Sequence, residues 1–172
     1  MARKVTFIVQ YRRKRKGKTD YKKRLNLLKS EKTRLVVRPS NKHIFAQLVS
    51  YSENGDLVVS SAHSKELTEF GWTHSTSNTP AAYLTGLLCG VRGKDKVSEA
   101  ILDNGLLTSV KGSRIFASLK GCLDAGVKVP VDVGILPDEG RISGKHIGSY
   151  VERSKNISSD FIKVKEKILK SK

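Results

Sequence analysis

Four aspartates, Asp56, Asp103, Asp124 and Asp132, are the groups from which a magnesium site could be assembled, since clustered carboxylates hold the ions of a phosphoryl-transfer centre. Their settings keep them apart. Asp56 follows an Asn54-Gly55 turn and Asp124 lies on the polar side of a helical pattern. Only Asp103 ends a strand-like run, where sites of α/β sheets gather. One carboxylate is not a two-metal site. His43, His63, His74 and His146 show no ligand spacing, and none lies at ligand spacing beside Cys89 or Cys122. The two cysteines, each in an apolar helical pattern, read as buried thiols. No serine stands in a nucleophile elbow. Gly86, Gly90 and Gly93 fall inside a helical run, where they cannot form a phosphate-binding loop. The chain therefore reads as a non-enzyme with no metal site, no cofactor and no small-molecule substrate.

The chemistry on offer is cationic. Lysine and arginine number 33 against 16 acids, a formal net charge of +17. Such a balance points to a polyanion, nucleic acid first and an anionic membrane surface second. No apolar run approaches a membrane span, and no signal-peptide pattern is read. The charge is concentrated: residues 1–42 hold 16 cations and 2 acids, net +14, and residues 43–172 hold 17 and 14, net +3. Within the first stretch, residues 1–18 read as a basic arm. It carries Val5, Phe7, Ile8 and Val9 and then the run Arg12-Arg13-Lys14-Arg15-Lys16-Gly17-Lys18. Self-repulsion is expected to keep it extended. On RNA, phosphates would neutralise it, and Tyr11 and Tyr21 would offer faces for stacking. The alternative is a solubilising or localisation tail. A second cluster sits at a turn, where Arg38, Lys42 and His43 surround Pro39, Ser40 and Asn41. Either these charges are solvated, or the turn meets phosphates with Ser and Asn adding hydrogen bonds.

The elements that would position these groups follow from periodicity. Leu35–Val37 and Ile44–Val49 read as a hairpin. In its second run Ile44, Ala46 and Leu48 point one way, and Phe45, Gln47 and Val49 the other. Asn54-Gly55 then turns the chain into a third strand, Leu57–Ser61. Thr19 or Asp20 caps a helix whose stripe of Tyr21, Leu25 and Leu28 is expected to pack on the body and present a basic flank. Glu66–Trp72 reads as a helical turn, with Trp72 in the core or at a ligand rim. Thr79-Pro80 starts a helix with Tyr83, Leu84, Leu87, Leu88 and Val91 on one face. Its Gly86 and Gly90 suggest close packing on a sheet. Glu99–Asp103 reads as a strand and Gly105–Gly112 as a loop. Residues 113–125 read as a helix with Ile115, Leu119, Cys122 and Leu123 inward, stopped by Gly126. Val127–Val133 reads as a further strand. Gly144–Val151 and Ser159–Lys170 look helical, the latter with Phe161, Val164, Ile168 and Leu169 roughly on one face. That last segment is either a docking helix or a second RNA contact. The expected fold is α/β: an antiparallel meander followed by parallel βαβ pairing in a mixed sheet with helices packed on it. The expected organisation is an arm at 1–18, a single domain at 19–150 and a lysine-rich helical segment at 151–172.

An ordered set of residues carries a family resemblance. It runs through Thr19-Asp20-Tyr21, Arg24-Leu25, Arg34-Leu35-Val36-Val37-Arg38, Ser40-Asn41-Lys42-His43 and Ala46-Gln47-Leu48. It continues through Ser61-Ala62-His63-Ser64, Gly71-Trp72, Asn78 with Pro80, Ala82–Leu88, Gly112–Ala117 and Asp124-Ala125-Gly126. Over roughly residues 1–150 the chain resembles the eighteenth family of universal large-subunit ribosomal proteins, in its archaeal form. The resemblance implies a ribonuclease-H-like sandwich without catalytic carboxylates. It also implies a cytoplasmic ribosomal location in the central protuberance. The implied partners are 5S ribosomal RNA, the large ribosomal RNA and a neighbouring protein of the fifth universal large-subunit family. Carried over by position, the RNA contacts are Arg12, Arg13, Arg15, Lys18, Tyr21, Arg24, Arg34, Arg38, Ser40, Asn41, Lys42 and His43, with Asn78, Ser113 and Arg114 as weaker candidates. A non-ribosomal RNA-binding or chaperone module would share the basic arm without the ordered residues.

Overall fold

Alternation along β1 (Thr33–Pro39) assigns the two faces of the sheet. Leu35 and Val37 are fully buried on one side, and Arg34, Val36 and Arg38 take the other. In this computed structural model, which describes residues 8–171, β1 pairs antiparallel with β2 (Ile44–Ser50), setting Leu35 opposite Leu48 and Val37 opposite Ala46. Strand β3 (Leu57–His63) pairs antiparallel with the far side of β2, where the register shifts between Leu48 and Val49. Strand β4 (Ala100–Asp103) lies parallel on the other side of β1, giving the order β3-β2-β1-β4. The mixed sheet, antiparallel then parallel, is the one expected.

Two helices cover the apolar face. Helix α3 (Thr79–Gly93) carries Leu84, Leu87 and Leu88 into the core. Each such residue contributes ~1.5–3 kcal/mol relative to exposure. Asn78, not Thr79, caps the helix, its side chain accepting from Ala81 N, and Thr79 is the first helical residue. Helix α4 (Arg114–Asp124) packs along α3. Gly86 and Gly90 face α4 and not the sheet: a Cβ at Gly86 would overlap the Ser118 carbonyl, and one at Gly90 would press on Ala125 and Cys122. Gly121 answers from α4 against the Tyr83 carbonyl. Cys89 and Cys122 are buried as expected, and burial pushes their thiols up to about 11 and about 12.

Several expectations need correction. Val127–Val133 is not a strand; it makes one parallel bridge, Glu99 with Lys128, before a 3₁₀ turn at Val133–Ile135. The turn after β3 is a 3₁₀ segment at Ser64–Thr68, and Trp72 is a core residue whose indole donates to Ser75 O. Short helices α5 (Glu139–Ile142) and α6 (Lys145–Tyr150) lead to α7 (Ile157–Lys170). Ile157, Phe161, Val164 and Ile168 of α7 belong to the same apolar cluster as α3 and the sheet, so the C-terminal segment completes the domain. Leu123, expected inward, is half-buried, and Leu169, expected on one face with Phe161, Val164 and Ile168, is exposed. In the arm, Val5 and Phe7 lie outside the described residues. The basic run is not extended there: Arg12–Arg15 form a single helical turn, α1, with no buried residue. Helix α2 (Tyr21–Leu28), capped by Asp20, also buries nothing, and Leu25 of its apolar stripe is 54% exposed.

Candidate nucleic-acid interface

The helices leave the opposite face of the sheet uncovered by apolar packing. Strand registers set its rows: Arg38 beside Phe45 and His63, Val36 beside Gln47 and Ser61, Arg34 beside Val49 and Val58. Asp103 stands next to Val36 on β4, diagonally between Arg34 and Arg38. A chain of charges follows from this placement. Arg24 of α2 donates to both oxygens of Asp56 at 2.9 and 2.8 Å. Arg34 Nη2 lies 2.8 Å from Asp56 Oδ2, and Arg34 Nη1 donates to Asp103 Oδ2 at 3.1 Å. Arg38 Nη2 donates to Asp103 Oδ1 at 2.9 Å. Burial opposes the charge on Asp103, but hydrogen bonds from Arg38 and the Gly105 N–H, with the nearby guanidinium charges, hold its carboxyl below the ordinary value of 3.8. For Asp56 burial likewise opposes, and Arg24 and Arg34 likewise prevail.

Three of the expected contact residues are thereby tied into the protein. Arg34 is only 2% exposed and holds two carboxylates, so it supports the sheet from within and cannot reach a phosphate without breaking both pairs. Arg24 fastens α2 to the turn after β2, helped by Lys23, whose ammonium donates to Asn104 Oδ1 and to Gly105 O. Arg38 is shared: its side chain is 41% exposed while paired with Asp103. Of the aspartates that invited a catalytic reading, Asp56 and Asp103 are thus counter-ions of arginines, while Asp124 accepts from the Tyr83 hydroxyl and Asp132 from Gly134 N. Among the described residues no cluster of metal-ligating side chains is present.

The hairpin turn is tightly organised. Ser40 uses its hydroxyl to donate to His43 O and to accept from His43 N, so it shapes the turn. The His43 ring lies 3.1 Å from Thr76 Oγ1, which itself donates to Lys42 O, and packs 4.9 Å from the His63 ring. Arg114 donates to Ser40 O at 3.2 Å and to Ser77 O at 3.0 Å. Three segments distant in sequence therefore meet: the 40–43 turn, the 75–78 loop and the start of α4. Sequence spacing suggested the second and third only weakly, and they join the first. Asn78 and Ser113 occupy the two helix N-caps here; the Ser113 hydroxyl is buried without a partner among the described residues. Asn41 and Lys42 project outward.

Across the open face lies the arm. Arg12, Arg13, Arg15 and Lys18 are exposed, and among the described residues none is paired with a carboxylate. Arg13 Nε donates to Thr19 Oγ1 at 2.8 Å, and the Tyr11 and Tyr21 rings pack at 5.1 Å. The two tyrosines that bracket the run thus meet each other. Gln47, facing the open side from the middle of β2, was not singled out for a role. The outward alternation of β2 was the signal that could have found it.

An α/β body with one open sheet face, beside a cation-rich N-terminal stretch, suits a protein that binds a polyanion. The family model described as "Ribosomal large subunit proteins 60S L5, and 50S L18" matches residues 5–100 and 91–132. The chain is 53% identical over 154 residues to the large ribosomal subunit protein uL18 of Korarchaeum cryptofilum, covering 89% of this chain and 79% of that one. It is 49% identical to the corresponding protein of Methanothermobacter thermautotrophicus, covering 88% and 80%. It is 48% identical over 170 residues to that of Methanococcus maripaludis, covering 98% and 88%. The chain belongs to this ribosomal family, that of uL18. It is a structural constituent of the large subunit of the cytoplasmic ribosome, not an enzyme, and its partners are ribosomal RNA and ribosomal proteins.

Proposed function

We propose that the chain binds 5S ribosomal RNA and anchors it to the large ribosomal RNA in the central protuberance, beside a large-subunit protein of the fifth universal family. The observation that carries this reading is the distribution of exposed polar and cationic residues that, among the described residues, have no carboxylate partner. Arg13 and Lys18 stand beside the open sheet face, with Arg12 and Arg15 exposed on the same helical turn as Arg13, and Asn41 and Lys42 stand in the hairpin turn. Two separated sets of donors suit a protein that bridges two RNA segments, with phosphates setting position and the rigid turn reaching sugars and base edges. Tyr21 packs on Tyr11 of the arm, and Arg38 and His43 stand at the hairpin end, all three half-buried. Arg114 braces the turn from behind, Asn78 and Ser113 stand at the helix N-caps beside it, and Arg24 and Arg34 brace the sheet.

Filter binding of the full chain to 5S RNA and to a non-cognate RNA of equal length, across a salt series, tests the proposal. Affinity for 5S RNA should fall steeply with salt, with a slope of about 0.7 per phosphate neutralised. It should also exceed that for the non-cognate RNA at every salt concentration. Equal affinity for both would reject 5S RNA as the specific ligand.

A further inference from the structure

Between α2 and the open face lies a groove of about 250 Å³. Its floor is apolar, formed by Val36, Val49 and Val58 with Leu27 of α2 on the facing wall. Its mouth is cationic, with Arg13 and Lys18 on the arm side. From the centre of the floor rises Gln47, set between Val36 and Ser61 by the strand registers. Apart from Lys18 at the mouth, the charged groups that line the groove have partners. Asp20 caps α2, and Arg24, Arg34, Arg38, Asp56 and Asp103 are bound to one another. The Gln47 carboxamide alone on the floor has no hydrogen-bond partner among the described residues, although it stands on β2, an interior strand paired on both sides.

An amide offering two donors and an acceptor, set on a floor of valines between charged walls with positive charge at the entrance, matches one ligand chemistry. A planar heteroaromatic ring with a hydrogen-bonding edge would lie on the valines, with a phosphate at the mouth. The volume falls below the ~300–1,000 Å³ of ordinary small-ligand sites, so the occupant is a single unit of a polymer and not a free metabolite. The geometry points to the groove as a receptor for one unstacked nucleotide of 5S RNA, its base edge read by Gln47 and its phosphate held by Arg13 and Lys18. This assignment rests on the 5S RNA reading above and adds a base-reading position to it. Helix α2 forms the roof and buries no side chain of its own, so a base can enter beneath it without disturbing the core.

Two variants of the full chain test the groove. Gln47→Leu removes the amide, keeps its bulk and changes no charge. Val58→Trp, at an edge-strand position 48% exposed, plugs the slot from its rim. Both should melt as the wild type does. Each should weaken 5S RNA by about ten-fold, the scale of one lost base contact, while non-cognate RNA and the salt slope stay unchanged. At saturating protein, chemical probing should reveal one unpaired nucleotide of 5S RNA that is shielded by the wild type and reactive with either variant. If the wild type prefers 5S RNA and a folded variant keeps both that preference and the full protection pattern, the groove is a passive gap. If the wild type shows no preference, the 5S reading itself falls. Should Gln47→Leu fail to fold, Val58→Trp alone decides by the same two readouts.

Discussion

Arg34 and Asp103 meet across the parallel pairing of β1 and β4, Nη1 to Oδ2 at 3.1 Å, and both are almost wholly removed from water. Removing one member of such a pair strands the other's charge, which costs more than the pair's net worth. Asp103→Ala should therefore destabilise the fold by about 3 kcal/mol in urea titrations. Arg34→Met should cost less, because Asp103 keeps Arg38 and the Gly105 N–H and the methionine fills the space.

Acid should act through the same carboxylates. The folded-state pKa values of Asp56 and Asp103 lie below the ordinary 3.8. Their contribution to stability is thus fully present above that value and is lost as pH falls through the folded-state values. The stability gap between the wild type and Asp103→Asn should be constant from neutrality to about pH 5 and close below about pH 4. A gap that widens on acidification would mean that Asp103 is not held ionised by its arginines.

Gly86→Ala would ordinarily favour a helix by up to ~1 kcal/mol. Here the new methyl meets the Ser118 backbone carbonyl, which cannot swing aside as a side chain would. The expected outcome is a net loss of about 3 kcal/mol, at the upper end of overpacking costs, seen as a lowered melting temperature. An exposed helical position such as Glu166→Ala serves as the neutral control.

The hairpin turn and the arm should differ in kind. Arg38→Ala with Asn41→Ala would confuse recognition with stability, since Arg38 holds Asp103. Asn41→Ala with Lys42→Ala touches neither the core nor the charge chain. It should narrow the ratio of affinities for 5S and non-cognate RNA, because ordering a fixed turn costs little entropy. Arg13→Ala with Arg15→Ala should weaken both RNAs about equally and lower the salt slope. A turn variant that keeps the wild-type ratio would place recognition elsewhere.

The meander, α3, α4 and the parallel β4 were readable in the sequence because one-sided burial writes period-2 and period-3.6 patterns. The partners of Asp56 and Asp103 were not. Those pairs join residues 22 to 69 positions apart, and strand register together with the docking of α2 decides which charges meet. Gly86 and Gly90 announced a close approach but not its partner, since a sheet and a second helix ask the same of a glycine. Val127–Val133 has strand composition, yet Pro130 removes a donor and only Lys128 bridges. In α2 the apolar spacing misled: Tyr21, Leu25 and Leu28 form a helical stripe, while polar tethers at Lys23 and Arg24 hold the helix in place.

Those tethers give the molecule two tiers of protection from solvent exchange. The amides of α3 and α4, locked by backbone-to-backbone approach, open only with global unfolding. The amides of α1 and α2, attached without a buried side chain, open with the rupture of a few ion-dipole and ion-pair contacts. Deuterium uptake over residues 12–28 should then rise with ionic strength while the core stays dark. An unassembled molecule would also offer proteases this cationic flap first, at the Lys and Arg bonds that RNA would otherwise cover.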